Sequence, residues 1–181
     1  MQPIGPLMWE HRLIERMVAV LKVELARMAS SDTVDPVAID TAVDFFRTYA
    51  DRTHHGKEEE ILFRELRGKA LSDEHRRIMD ELLAEHVTGR REVGGLVAAK
   101  ARFVEGDVSA LAGIRGHLGT LIEFYPRHIE KEDRRFFHPC MAYFTKGELN
   151  AMLGEMWEFD RKMIHERYGH LVDEWETRTA P

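Results

Sequence analysis

A short segment rich in histidine and acidic residues occurs twice in this 181-residue chain. The first copy, HHGKEEEILF, begins at His54, and the second, HIEKEDRRFF, begins at His128. Residues four apart lie on one face of a helix, so His54 pairs with Glu58 and His128 pairs with Glu132. Each copy can therefore present an imidazole and a carboxylate to a common point. Together the two copies predict a metal-binding site.

A further histidine precedes each copy and extends the repeat. His11 lies in LMWEHRLIERMV, and His86 lies in LLAEHVTGRREV. The chain therefore contains, twice, a histidine followed by a His-x-x-x-Glu pair. The period of about 75 residues is far too long for a solenoid unit, and it suits a duplicated helical hairpin.

The composition is that of an ordinary globular protein, with 44% hydrophobic and 32% charged residues and a net charge of −6. The length suits one domain with a real core. Without a basic cluster or a long apolar run, neither nucleic acid nor membrane is an expected partner. The single cysteine, Cys140, excludes an internal disulfide and a cysteine-based zinc site. The N-terminus lacks the pattern of a secretory signal, so we expect a cytoplasmic location.

The spacing of apolar residues predicts five helices, at about residues 7–29, 36–66, 73–104, 108–137 and 146–174. Pro3, Gly5 and Pro6 predict a short extended arm before the first helix. Short loops between consecutive helices favour antiparallel neighbours. The predicted fold is therefore all-α, an up-down-up-down four-helix bundle with an additional C-terminal helix packed on it.

Two parts of one domain follow from this pattern. Residues 1–144 are expected to form the metal-binding bundle, and residues 145–181 a helical extension of it. Antiparallel packing brings early positions of one helix level with late positions of the next, so six side chains can reach one layer. These candidate metal ligands are His11, His54, Glu58, His86, His128 and Glu132.

Four imidazoles and two carboxylates are too many ligands for one tetrahedral zinc ion. They suit two metal ions, each with two imidazoles and shared carboxylates, and with positions left for oxide, hydroxide or an exogenous ligand. Mixed nitrogen and oxygen ligands favour iron, with manganese or zinc as alternatives.

Some neighbouring residues leave alternatives open. His55 and Glu59 form a second His-x-x-x-Glu pair, but their stripe is polar, so we choose His54 and Glu58. Tyr125, one turn before His128, is a candidate replacement ligand, although packing is the favoured interpretation.

Other candidates are weaker. Glu10 and Glu85 each precede a proposed ligand by one residue, and such neighbours do not face each other. Carboxylates that orient the imidazoles are expected, but the sequence does not assign them. His165 and His170 are five apart on the last helix and do not share a face, so they are not predicted as ligands.

The ligand pattern resembles that of the hemerythrin-like, or HHE cation-binding, family. That family has a histidine on the first helix, His-x-x-x-Glu on the second, one or two histidines on the third and His-x-x-x-Glu/Asp on the fourth. The resemblance covers residues 7–137 and implies a four-helix bundle with two iron ions, oxo- or hydroxo-bridged, on the six residues above. Oxygen-carrying members have two histidines four apart on the third helix. Here Leu82 and Arg90 occupy the positions four residues from His86, so a fifth histidine is not predicted.

The resemblance implies a non-haem di-iron protein that binds or reacts with O₂, peroxide or NO in an oxygen or oxidative-stress response. The missing fifth histidine argues against simple reversible O₂ carriage. The alternatives are an iron-holding protein without catalysis, or a metal-dependent sensor whose tail helix contacts helix 1 or 4 near the metal. Apolar positions on that tail leave a homodimer or a protein partner open.

Overall fold

The computed structural model describes the backbone of residues 2–179 and the side chains of residues 2–163. It contains five long helices: α1 (Ile4–Ser31), α2 (36–67), α3 (Asp73–Val104), α4 (110–140) and α5 (Lys146–Thr179). The described residues contain no strand, which confirms the all-α prediction. No helix in the described part of the chain is long and apolar enough to cross a membrane. The side chains of His165 and His170 lie outside the described residues.

The helix starts follow the local sequence, with one correction. The side chain of Asp35 accepts a hydrogen bond of 2.9 Å from the backbone N–H of Val37 and caps α2. The predicted extended arm is wrong, because α1 already begins at Ile4. Pro6 lies in the first turn, where a backbone N–H has no helical acceptor, so its missing donor does not interrupt the helix.

Contacts at both ends of neighbouring helices show the up-down-up-down arrangement. His11 near the start of α1 contacts Asp133 near the end of α4, while Arg115 early in α4 reaches Asp32 just after α1, at 2.9 Å. The pairs α2–α3 and α3–α4 are antiparallel in the same way, as shown by Lys100–Asp40 and Arg90–Asp51 for the first and by His117–Glu92 and Lys131–Glu81 for the second. The predicted bundle is therefore confirmed.

The helix α5 packs antiparallel against α2. Its buried Met152 and Met156 join the apolar core. Three ion pairs follow one another along the contact: Lys69–Glu148 at 2.6 Å, Arg64–Glu155 at 2.8 Å and Lys57–Asp160 at 2.7 Å. The prediction of an additional C-terminal helix packed on the bundle is confirmed.

A layer of polar side chains separates two apolar clusters in the bundle. On α1, the buried Leu7 belongs to one cluster and the buried Ile14 to the other, and His11 lies between them. The first cluster includes Leu62, Phe63, Leu82 and Phe137, and the second includes Phe46, Leu96, Leu118 and Leu121. The polar layer is thus shielded from water on both sides.

Both α2 and α4 depart from α-helical geometry beside this layer. The segments Phe45–His55, Glu58–Leu62 and Glu132–Phe136 are π-helical. In each, the next residue's N–H reaches back five positions, from Gly56 to Asp51, Phe63 to Glu58 and Phe137 to Glu132. Each wider turn changes which neighbouring side chains share a face, and such turns often mark functional sites.

Candidate metal centre

The structure brings all six predicted side chains together and adds a seventh. One group contains His11, His54, Glu58 and Glu132, and the other contains His55, Glu58, His86 and His128. Within each group, one ligand atom per residue lies within 4.8 Å of all the others. Glu58 belongs to both groups, so the two groups are adjacent halves of one centre.

The sequence left the seventh residue, His55, open as an alternative to His54, and the structure places both at the centre. The polar stripe of His55 suggested that it faces away from His54, yet only 2% of its surface is exposed. Its ring stacks on that of His86, with centroids 3.9 Å apart. His55 is the last residue of the π-helical segment Phe45–His55, and the changed turn lets both adjacent histidines face the centre. A fifth histidine is therefore present, on α2 rather than α3.

The other two open alternatives do not enter either group. The carboxylate of Glu59 accepts a hydrogen bond of 2.7 Å from His86 Nδ1 and is partly exposed. The ring of Tyr125 stacks on that of Phe46, with centroids 5.0 Å apart and planes inclined by 8°. These positions support packing for Tyr125 and an orienting role for Glu59.

Four histidines of the centre are each oriented by a carboxylate that contacts Nδ1, the ring nitrogen that faces away from the centre. A carboxylate only accepts hydrogen bonds, so each ring donates from Nδ1 and directs Nε2 towards the centre. The pairs are His11–Asp133 at 2.7 Å, His54–Glu10 at 2.9 Å, His86–Glu59 at 2.7 Å and His128–Glu85 at 2.8 Å.

These pairs follow the internal repeat. Glu10 and Glu85 each hold the later histidine of their own half, whereas Glu59 and Asp133 each hold the earlier histidine of the other half. The sequence pattern did not assign Glu10 and Glu85, because neither faces the histidine next to it along the chain. Each actually acts on a histidine of a neighbouring helix. The sequence feature that points to Glu10 and Glu85 is the Glu-His pair, which occurs in both halves of the repeat.

His11 Nε2 and His54 Nε2 lie within hydrogen-bond distance of each other, at 3.0 Å, but most polar atoms at the centre have no such partner. Both carboxylate oxygens of Glu58 and of Glu132 are buried and have no hydrogen-bond partner among the described residues. The same holds for the Nε2 atoms of His55, His86 and His128. Each buried unsatisfied polar group costs about 1–3 kcal/mol, so seven such atoms at one point require a further partner. Imidazole nitrogens and carboxylate oxygens in this arrangement fit divalent metal ions.

The carboxylates keep two of the histidines charged in the metal-free protein. Burial opposes the charged form of His11, but its hydrogen bond to Asp133 and the nearby carboxylates of Glu132 and Glu58 raise its pKa to about 10. Burial likewise opposes charge on His86, and contacts with surrounding carboxylates outweigh it and raise its pKa to about 11. Protons on these rings therefore balance negative charges that metal ions would otherwise balance.

His55, in the second group, has the opposite tendency. Burial lowers the pKa of His55 well below its usual value, and the charges on His86 and His128 lower it further. A neutral imidazole is the form that binds metal. His55 is thus ready to act as a ligand without first losing a proton.

A cavity of about 100 Å³ is lined on one side by His55. Its walls include the apolar Phe46 and Val93 and the ring of Tyr125, and Arg90 and Asp51 lie among its polar residues. This volume exceeds the roughly 10–15 Å³ that one water molecule needs. The cavity therefore has room for small molecules beside the second ligand group.

The fold and the centre together define a helical-bundle protein with a buried site for metal cations. In agreement, residues 3–140 match the model of the hemerythrin HHE cation binding domain. The chain belongs to this family, as the resemblance in its ligand pattern indicated. No curated protein and no solved structure gave a significant match.

Proposed function

We propose that the protein is a non-haem di-iron protein that binds or reacts with O₂, peroxide or NO. The observation that carries the proposal is the pair of buried ligand groups that share Glu58. One group contributes the imidazoles of His11 and His54, and the other contributes three imidazoles. This division supports two metal positions rather than one.

The two proposed positions are unequal. Glu132 contacts histidines of both groups, with Oε2 at 3.1 Å from His11 Nε2 and Oε1 at 3.2 Å from His128 Nε2. Glu58 and Glu132 would therefore help to hold metal at both positions. The ion held by two imidazoles would keep more room for an exogenous ligand than the ion held by three. The asymmetry that the sequence pattern did not predict thus supports ligand binding at one ion.

The chain and the metal would divide the chemistry between them. Bound iron would supply redox electrons and a coordination position for the small ligand. The protein orients the imidazoles through Asp133, Glu10, Glu59 and Glu85. Apolar side chains above and below the layer exclude bulk water, and the cavity beside His55 offers a route for small molecules.

All seven side chains of the proposed centre come from α1 to α4. This supports residues 1–144 as the metal-binding bundle and residues 145–181 as an extension of the same domain. The alternative function, a metal-dependent sensor, draws support from α5. Asp160 of this helix forms an ion pair with Lys57, which in turn contacts Glu10 of α1 close to the proposed metal layer.

The test is the reaction of the reduced, iron-loaded protein with O₂, peroxide and NO, each followed separately by stopped-flow optical spectroscopy. The proposal expects a spectral change with at least one of these molecules that is complete within seconds. The same mixing with His54→Ala, which removes a proposed ligand, should abolish it. An iron-loaded protein that is inert to all three would instead be an iron-holding protein.

A further inference from the structure

A buried lysine connects α5 to the proposed metal centre. Lys57 is fully buried, and its Nζ donates hydrogen bonds to Glu10 and, at 2.7 Å, to Asp160 of α5. The second oxygen of Glu10 accepts a hydrogen bond of 2.9 Å from His54 Nδ1. An unbroken chain of charged hydrogen bonds therefore runs from α5 to a proposed ligand.

The burial of Lys57 explains why two carboxylates meet it. A buried ammonium group is strongly unfavourable unless it is paired and hydrogen-bonded. Glu10 alone would have to serve both Lys57 and His54. Asp160 supplies a second negative charge for Lys57, so that Glu10 can keep its other oxygen on the imidazole of His54.

The lysine in the second copy of the repeat has different surroundings from Lys57. Lys131 corresponds to Lys57, and it contacts Glu85 at 2.5 Å and Glu81 at 3.2 Å. Its side chain is 19% exposed, and both of its carboxylate partners come from α3 inside the bundle. The half that contains Lys57 is the one that takes a partner from α5.

The backbone of α2 is also shaped to receive α5. A Cβ atom placed on Gly56 would lie 2.7 Å from Cζ of Phe159, so a side chain there would displace this ring. The matching position in the second copy of the repeat is Glu130, which is exposed. Moreover, the family match ends at residue 140, before Phe159 and Asp160. The α5 side of the contact is therefore built from residues outside the matched region.

We propose that α5 supports the metal centre without contributing a ligand, with Asp160 and Lys57 as positioning residues. Acting through Glu10, they fix the orientation of His54 and strengthen metal binding at the position formed by His11 and His54. The proposal rests on the proposed metal site, but the orientation of His54 can be measured without metal. It assigns α5 a role in the chemistry of the site as well as in packing.

The experiment compares two variants of the full-length chain by zinc titration against a competing chelator. Asp160→Asn removes the charge that pairs with Lys57 and keeps the side-chain size. Glu155→Gln is the matched control, because Glu155 lies on the same helix and pairs with Arg64 of α2 outside this chain of hydrogen bonds. We expect Asp160→Asn to lower the affinity for one of the two zinc ions by about tenfold or more, since the loss of a partner that orients a ligand usually has an effect of this size. Glu155→Gln should bind both zinc ions like the wild type.

The metal-free protein gives a second readout, from the ring ¹⁵N signals of His54 by NMR. These signals should shift in Asp160→Asn and stay unchanged in Glu155→Gln. If Asp160→Asn does not fold, the double variant Lys57→Met/Asp160→Asn removes the buried charge and should show the same changes.

Equal zinc binding and equal His54 signals in Asp160→Asn and wild type would overturn the proposal. So would equal losses in both variants, since α5 would then act through docking alone. A wild-type chain that binds no zinc would instead refute the metal site, and the His54 signals would still decide whether Asp160 orients this ring.

Discussion

The imidazole rings of His55 and His86 stack face to face, with centroids 3.9 Å apart and planes inclined by 11°. The contact joins α2 to α3 and places the Nε2 atoms of both rings at the same buried centre, where neither has a hydrogen-bond partner among the described side chains. His128 completes this group from α4. The proposed three-imidazole position is thus built from three different helices, with one histidine from each.

The first prediction concerns His55, which would complete the three-imidazole position. His55→Ala should lower the affinity for one of the two metal ions by at least about 100-fold. Loss of a ligand should have a larger effect than loss of the ligand's orienting partner, which lowers metal affinity about 10–100-fold. Chelator competition with zinc measures this loss. His117→Ala is the control, because His117 hydrogen-bonds to Glu92 away from the centre. Equal metal binding in both variants would show that His55 is not a ligand.

The second prediction separates the roles of two adjacent carboxylates. Glu58 belongs to both ligand groups, whereas Glu59 hydrogen-bonds to His86 from behind. Glu58→Gln should therefore lower the number of metal ions per chain. Glu59→Gln should keep two ions, with affinity reduced about 10–100-fold. Elemental analysis gives the stoichiometry and chelator competition the affinity; a loss of stoichiometry in Glu59→Gln alone would reverse the assignment.

The sequence predicted the bundle well because local signals and apolar spacing agree along most of the chain. The predicted helix at residues 73–104 coincides with α3, whose first turn is capped by Ser72. Thr145 and Glu148 form a capping box at the start of α5, a motif that the sequence contains, with hydrogen bonds of 2.8 and 3.3 Å. The mutual spacing of histidines and carboxylates was sufficient to bring six side chains into one layer.

The positions that the sequence did not predict depend on non-local geometry. Uniform α-helical spacing assigned His54 and His55 to different faces, but π-helical turns in α2 direct both inward. The spacing of apolar residues does not predict a π-helical turn, because such a turn depends on packing between helices around the centre. Glu10 and Asp160 were missed for a related reason, since each acts through contacts between helices rather than along one helix.

The third prediction concerns protons at the metal-free centre. Because the pKa values of His11 and His86 are raised to about 10 and about 11, both rings hold a second proton and are positively charged at pH 7. Metal binding must displace these protons, so zinc binding should release about two protons per chain. Calorimetry in buffers of different ionisation enthalpy measures the release. Zinc binding without proton release would contradict the charge balance described above.

The same shifts set the pH dependence of metal-free stability. Both pKa values lie above the ordinary value of about 6.5, so the folded chain holds more protons than the unfolded chain at neutral pH. The resulting stabilisation is fully present below about pH 6.5 and is lost as the pH rises through 10 and 11. The free energy of unfolding should fall with a slope of up to about 1.4 kcal/mol per pH unit for each extra proton. In the zinc-loaded protein, where these rings cannot hold the proton, this contribution should be absent.

The fourth prediction concerns the close packing of α5 against α2 at Gly56. Gly94→Ala adds a methyl group in open space within α3 and should raise the free energy of unfolding by about 1 kcal/mol, because alanine favours helix. Gly56→Ala should lack this gain and should lower stability by about 1 kcal/mol or more, because the new Cβ would displace Phe159. Denaturant unfolding of the full-length variants measures both. A stabilised Gly56→Ala variant would show that the Phe159 ring moves away freely.

The most direct test of the dinuclear centre is the iron content of the purified, iron-loaded protein, measured with its optical spectrum. The proposal predicts two irons per chain with near-ultraviolet charge-transfer absorption. His54→Ala and His128→Ala should each lose iron, because they change the two-imidazole and the three-imidazole position respectively. One iron or none in the wild type, with no change in either variant, would contradict a dinuclear metal centre at these residues.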